Sequence, residues 1–437
     1  MLNDSAYTRR WFLGRSLTMI STAVTLPVFL QRSALAIDNP FEYRDTAGRA
    51  GVPEDRVLVV VQLGGGNDGL NTVVPFGMRE YYQARPGLGI DEKQVIQFKD
   101  RGATGIGLHP AMGPMMELIE AGTLAVVQGV GYPNPNRSHF KSMDIWHTAS
   151  PETEGQGTGW IGRYFDNTCK GVPGTPGSKE PGPNLCVTIG DQAPLATLGG
   201  TVQPVAFEDE KLFRWAGAEL HPDVASAYAR INREGVIAGV EADSPAGFLM
   251  RTAMDAQVSS DQIRKAVATQ PLVSYPGSRI GKSLRMVGSM IRAGLKTRVY
   301  YTDMSGFDTH AGQQGQHQRL LGELAAALAA FHADLQQQGN SGRVLTMTFS
   351  EFGRRVKQNA GGGTDHGTAA PMFLMGDRVK PGLIGQHPSL SKLDDNGDLI
   401  YSMDFRSVYA AVLEQWMGAN AAAVLGKPFK PAEVMKT

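Results

Sequence analysis

Little in this 437-residue chain favours one sign of charge: 42 Lys and Arg stand against 42 Asp and Glu, and no basic block is interleaved with aromatics. Polyanions bind to clustered cations, so the composition argues against nucleic acid as a partner. Cysteine is scarcer still, with only Cys169 and Cys186. They flank a Gly- and Pro-rich segment, 171–183, that has little ability to hold itself in shape. In an oxidising compartment a Cys169–Cys186 disulfide would close that loop, worth ~3 kcal/mol by the loop-entropy argument. No internal repeat is visible.

The N-terminus reads Thr8-Arg9-Arg10-Trp11-Phe12-Leu13-Gly14, then an uncharged run from Ser16 to Gln31, then Ala34-Leu35-Ala36. Paired arginines, a moderately apolar centre and an Ala-x-Ala end resemble a bacterial twin-arginine signal. The run is shorter than the roughly 20 residues that span a bilayer, so cleavage after Ala36 is expected rather than a stable membrane span. Residues 1–36 are then the signal, the twin-arginine translocase is the export partner, and the mature chain is periplasmic or secreted. Residues 37–437 are read as one domain, long enough to bury a sizeable core.

Arg56 to Leu63 is a nearly continuous β-branched run, the pattern of a strand covered on both faces in a parallel sheet. It leads into Gly64-Gly65-Gly66-Asn67-Asp68-Gly69, which matches the dinucleotide fingerprint Gly-x-Gly-x-x-Gly. The next residues, Leu70 to Pro75, are β-branched and end in proline, so no helix N-terminus is expected there to hold a pyrophosphate. Asp68 would also oppose phosphate charge, and a carboxylate at a strand end suits a metal better. Further strands are expected at Leu124 to Gln128, Arg298 to Thr302 and Val344 to Phe349, and helices at Pro110 to Ala121, Arg279 to Leu295, Gln314 to Gln338 and Phe405 to Met417. From about 190 to 275 helical segments run without buried strands, which reads as an inserted helical lobe. The alternation of buried strands and helices predicts a three-layer α/β/α sandwich with a mostly parallel central sheet.

Three stretches carry the chemistry. Gly363-Thr364-Asp365-His366-Gly367 sets a carboxylate beside an imidazole in a glycine-rich loop; Gly306-Phe307-Asp308-Thr309-His310 sets two ligand types two residues apart. Asn136-Arg137-Ser138-His139-Phe140 opens a helix, with Ser138 at the N-cap either as a cap or as a nucleophile. His317, in the first turn of the 314–338 helix, could point towards Asp308. In a parallel sheet all strand C-termini share one rim, so Asp68, Asp308 and Asp365 can converge there with His310 and His366. Ligands of this kind suit one or two divalent ions, Zn²⁺ or Mn²⁺ before Mg²⁺ or Ca²⁺.

The order of these motifs resembles the alkaline phosphatase superfamily, which includes sulfatases and cofactor-independent phosphoglycerate mutases. More closely, residues 65–71, 136–140, Ser350-Glu351-Phe352-Gly353-Arg354 and 363–367 look like an uncharacterised, often twin-arginine-exported family catalogued as domain of unknown function 1501. The resemblance implies that Asp68, Asp365 and His366 hold one ion, bridged by Ser138 as nucleophile beside His139. It further implies that Asp308, His310 and His387 hold a second ion, with Arg354 or Arg137 gripping non-bridging oxygens. The expected function is hydrolysis of a small phosphate or sulfate ester, with Ser138 or a metal-bound water attacking. The alternatives are a non-catalytic secreted protein that keeps the fold for binding or assembly with another periplasmic protein, and, weakest, dinucleotide binding at 64–69.

Overall fold

The computed structural model describes residues 55–98, 105–150, 157–168, 185–200, 204–209 and 260–436. Residues 1–36, the expected signal, and Cys169 lie outside them. The described chain begins β1 (Val57–Gly64), α1 (Gly69–Thr72), β2 (Val73–Val74), α2 (Arg79–Ala84), β3 (Ile96–Gln97), β4 (Gly107–Leu108), α3 (Gly113–Glu120), β5 (Leu124–Gly131), α4 (His139–Thr148) and α5 (Trp160–Thr168). It continues through β6 (Cys186–Ile189), β7 (Val205–Phe207), α6 (Arg279–Arg292), β8 (Val299–Ser305), α7 (Gln313–Gln337) and β9 (Val344–Phe349). The last elements are β10 (Ala370–Met375), β11 (Gly382–Ile384), β12 (Met403–Asp404), α8 (Phe405–Ala411) and α9 (Ala421–Leu425).

Nine strands form one sheet in the order β11-β5-β10-β9-β1-β8-β6-β7, with β12 also paired to β5; β2, β4 and β3 make a small second sheet. Within the large sheet β10 runs antiparallel to β5 and β9, and the other pairings are parallel. In β1, Val57, Val59, Val61 and Leu63 face one layer of helices while Leu58 and Val60 face the other. Both faces are covered, which is why the run shows no polar alternation. One layer brings Trp146 of α4, Phe165 of α5 and Tyr409 of α8; the other brings Met115 of α3, Leu284 of α6 and Leu328 of α7. Each fully buried side chain of this size contributes about 1.5–3 kcal/mol. The result is the expected α/β/α sandwich, a stiff base whose edge loops carry the polar groups.

Several boundaries differ from the sequence reading. The last helix is α8 followed by a π-turn, Val412–Trp416, rather than one helix to Met417. Residues 210–259 of the expected helical lobe lie outside the described ones; within its bounds, β7 adds a short strand to the sheet and residues 260–267 are helical. Cys186 begins β6 as a buried thiol whose pKa is pushed up by burial, and Cys169, the other half of the expected bridge, lies outside the described residues. Strand β6 itself, at the end of the Gly- and Pro-rich segment, was hidden by its length of four residues.

The parallel strands β1, β5, β8 and β9 end on one edge, followed by residues 65–68, 132–139, 306–310 and 350–354. Because β10 is antiparallel, it starts on that same edge, and the residues just before it, 363–369, reach the rim as well. Asp365 and His366 therefore precede a strand instead of trailing one. The direction of one strand brings the fourth motif to the other three.

Candidate metal centre

Two glycines let the rim loops touch. Gly65 has φ +117°, and a side-chain carbon there would lie 2.4 Å from the Asp308 amide nitrogen; one at Gly363 would lie 2.3 Å from the His310 carbonyl carbon. Both glycines thus serve loop packing. The amides a pyrophosphate would need are engaged: Gly65 N–H donates to Glu351 Oε1 (2.8 Å) and Asn67 N–H to Ser350 Oγ (2.9 Å). Helix α1 is only four residues long, and its N-terminal amides at Leu70 and Asn71 donate to Asp68 Oδ1.

Three imidazoles and one carboxylate meet on this rim. One ligand atom each from His139, Asp308 and His366 lie within 4.8 Å of one another. His366 Nε2 is 3.3 Å from Asp308 Oδ1, and His139 Nε2 is 3.6 Å from Asp308 Oδ2. His310 closes the group, its Nε2 3.0 Å from both Asp308 Oδ1 and His366 Nε2. Phe352 forms an apolar wall, its ring 4.9 Å from that of His139 and 4.8 Å from that of His366.

The outer nitrogen of every ring faces an acceptor. His366 Nδ1 is 2.8 Å from the Arg137 carbonyl, His139 Nδ1 2.8 Å from Glu351 Oε1, and His310 Nδ1 3.0 Å from Asp365 Oδ1. A carbonyl or carboxylate can only accept, so each Nδ1 carries a proton, and in the neutral form of a ring the Nε2 lone pair turns inward. In that form three lone pairs and a carboxylate face one another, an arrangement that a cation among them would relieve. His139 Nε2 is buried without a hydrogen-bond partner. Ligands around tetrahedral zinc at about 2.0–2.2 Å are separated by about 3.4 Å, close to the 3.3 and 3.6 Å separations here. The residues present fit a divalent ion.

Electrostatics agree. Burial lowers the His366 pKa, favouring the neutral, ligating form. Burial works against ionisation of Asp308, but the hydrogen bond and charge of Arg354, then His310, hold its carboxyl below the ordinary value. Asp365 is lowered chiefly by its bond to His310, then by Asn359, whose Nδ2 donates to it (3.1 Å). Asp365 thus orients His310 from behind.

Other residues singled out in the sequence stand elsewhere. Asp68 is fully buried, and its Oδ2 accepts from Arg85 Nη1 (2.5 Å) and Gln313 Nε2. Burial alone would raise its pKa, yet the Arg85 charge and hydrogen bond keep it lowered. Gln313 Oε1 in turn accepts from the hydroxyls of Thr309 (3.0 Å) and Thr364 (2.6 Å), so Asp68 braces the ligand loops from one layer behind. His317 joins this layer, bonded to Asn67 Oδ1 (3.0 Å) and lowered to about 4 by burial. His387 follows the edge strand β11, its Nδ1 donating to the Pro388 carbonyl (2.8 Å), and is not among the groups converging on Asp308. Ser138 is exposed at the N-cap of α4 but makes no side-chain capping bond, so its hydroxyl is left to solvent.

The two arginines are tied down. Arg354, fully buried, donates to the carbonyls of Gly65, Gly66, Thr364 and Phe307 and, through Nη2, to Asp308 Oδ1 (2.6 Å). It clamps three loops and aims the Asp308 carboxylate. Arg137 Nε donates to Asp398 Oδ2 (2.7 Å) and Nη2 to Asp394 Oδ2 (2.8 Å), which steadies the carbonyl that holds His366. The sequence reading treated His139 as a neighbour of the nucleophile, and it gave Glu351 no role. The one signal for the pair was position, since Glu351 stands two residues past a buried strand and His139 opens a helix at the same rim.

Among solved structures, the lipoteichoic acid synthase LtaP of Listeria monocytogenes is similar at 10% identity and TM-score 0.35, over 81% of this chain and 73% of that one. A sulfatase of Pseudoalteromonas sp. is similar at 9% identity and TM-score 0.34, over 85% and 68%. A protein in the alkaline phosphatase superfamily from Vibrio parahaemolyticus is similar at 9% identity and TM-score 0.32, over 91% and 76%. No curated protein matches the sequence. Residues 229–420 match the model of the family described as Protein of unknown function (DUF1501), in line with the closer of the two sequence resemblances.

Proposed function

We propose that this protein is an exported, metal-dependent hydrolase of phosphate or sulfate esters, built on one divalent ion held by His139, His366 and Asp308, with His310 as the fourth ligand. The observation that carries the reading is the inward convergence of Nε2 atoms whose Nδ1 partners are all acceptors. Such a nitrogen-rich set favours Zn²⁺, with Mn²⁺ next. A bound ion would polarise an ester oxygen and neutralise developing negative charge. The chain's own part is to hold the rings by Glu351, Asp365 and the Arg137 carbonyl, and to aim Asp308 by Arg354. Ser138 supports a nucleophile role, because its free hydroxyl stands between Arg137 and His139, both engaged with the centre. Export rests on the twin-arginine pattern of residues 8–36, with the translocase as partner; no helix among the described residues is long and apolar enough to cross a membrane.

One observation favours the rival reading of a non-catalytic exported binding protein. Arg354 and Arg137, the cations expected to grip substrate oxygens, are both bound to protein acceptors. Elemental analysis of the purified mature protein, with a panel of phosphate and sulfate esters, separates the two. Bound metal, with turnover lost on His366→Ala, is the expected result. Metal without turnover favours the binding protein, and absence of metal overturns the site.

A further inference from the structure

We infer that Glu351 is a positioning residue that sets the metal affinity of the centre by acting through His139, an inference that rests on the proposed ion site. The Glu351 side chain is 2% exposed, and the ion-pair partner of its carboxylate among the described residues is His139. Oε1 accepts from both His139 Nδ1 (2.8 Å) and Gly65 N–H (2.8 Å), and Oε2 accepts from Ser350 Oγ (3.2 Å). The Glu351 backbone carbonyl accepts from Ser142 Oγ, one turn along α4 from His139. The residue therefore joins the end of β9 to the β1 loop and to the helix that carries the ligand.

A purely structural acceptor for two N–H groups and a hydroxyl does not require a charge. Burying a carboxylate costs several kcal/mol unless a counter-charge compensates, and here no lysine or arginine forms an ion pair with it among the described residues. A cation on His139 Nε2, seen through the imidazole, supplies that counter-charge. Carboxylates placed behind ligating imidazoles change metal affinity about 10–100-fold. The Ser350–Arg354 motif then has two working members, Glu351 behind His139 and Arg354 behind Asp308, with Phe352 as the wall between the rings.

The test is a double-mutant cycle on Zn²⁺ affinity, read by competition with a chromogenic chelator. Glu351→Gln keeps an oxygen for Gly65 and His139 but removes the charge. It is expected to weaken Zn²⁺ binding about tenfold while the metal-free protein keeps its thermal midpoint. In a His139→Ala background the same change is expected to cost nothing further, because the residue through which it acts is gone. An equal loss in both backgrounds, or no loss in the first, overturns the inference. Ring-nitrogen NMR of His139 gives a second readout should His139→Ala bind too weakly to measure: Nδ1–H in wild type and a mixture of tautomers in Glu351→Ala. Unchanged ring signals overturn the inference equally. Failure of the wild-type protein to bind Zn²⁺ overturns the underlying site instead.

Discussion

Asp68 and Asp308 follow neighbouring parallel strands, β1 and β8, and reach the same rim, yet they do opposite work. Asp68 turns inward, where Arg85, Gln313 and two helix amides occupy it completely. Asp308 stays half exposed, with Arg354 behind it and imidazole nitrogens in front. Burial opposes ionisation at both, and an arginine overcomes it at both. The difference lies in what else each carboxylate meets. A fully satisfied buried carboxylate is a strut, whereas one faced by lone pairs is a ligand in waiting.

The largest expected effect sharpens that contrast. Asp68→Ala leaves Arg85 buried and unpaired and should lower stability by about 3–5 kcal/mol in urea denaturation, with Zn²⁺ affinity of the folded protein nearly unchanged. Loss of metal at full stability would instead make Asp68 the ligand that the sequence resemblance implied. Asp308→Ala should do the reverse. Its metal affinity should fall by at least the about 100-fold reached when outer partners of a ligand are removed, while stability of the metal-free protein falls less than in Asp68→Ala, since Asp308 is half exposed and water can take its place beside Arg354.

Acid titration separates the two more finely. Asp68 has a folded-state pKa below its ordinary 3.8, so it contributes stability that is fully present above the unfolded value. That stability is lost as pH falls through this value towards the lower folded one. Asp68→Asn should remove this part of the acid-unfolding curve, measured by circular dichroism from neutral pH downward. Asp308→Asn should change the curve less, since solvent screens a half-exposed group. The smallest effect is expected at His387, whose replacement by alanine should alter neither metal content nor stability by more than about 0.5 kcal/mol. Metal loss there would restore a second ion site.

The layers were legible because periodicity reports burial directly. The stripe of Ile280, Leu284, Val287 and Ile291 on α6, and that of Leu320, Leu324, Leu328, Phe331 and Leu335 on α7, are buried where the spacing placed them. The rim was legible too, since parallel strands must end together. Asp308, His310, Asp365 and His366 are indeed neighbours, with His310 bonded to Asp365 and in contact with the other two. Partner choice was not legible. Arg85 lies 17 residues from Asp68 and Gln313 lies 245 away, and neither has a local signature. Glu351 and His139 are 212 residues apart.

Local pattern, then, determined by itself that this chain forms a covered sheet and that acids and histidines gather at the sheet's edge, because both follow from side-chain spacing and strand direction. Which acid is satisfied by its neighbours and which faces imidazole nitrogens was decided only in three dimensions. The decision depends on the polar atoms that fold against each carboxylate, and those come from distant loops brought together by one antiparallel strand and a buried arginine. The motif Gly363-Thr364-Asp365-His366-Gly367 shows the division within two residues: His366 faces the centre, while Asp365 stands behind His310.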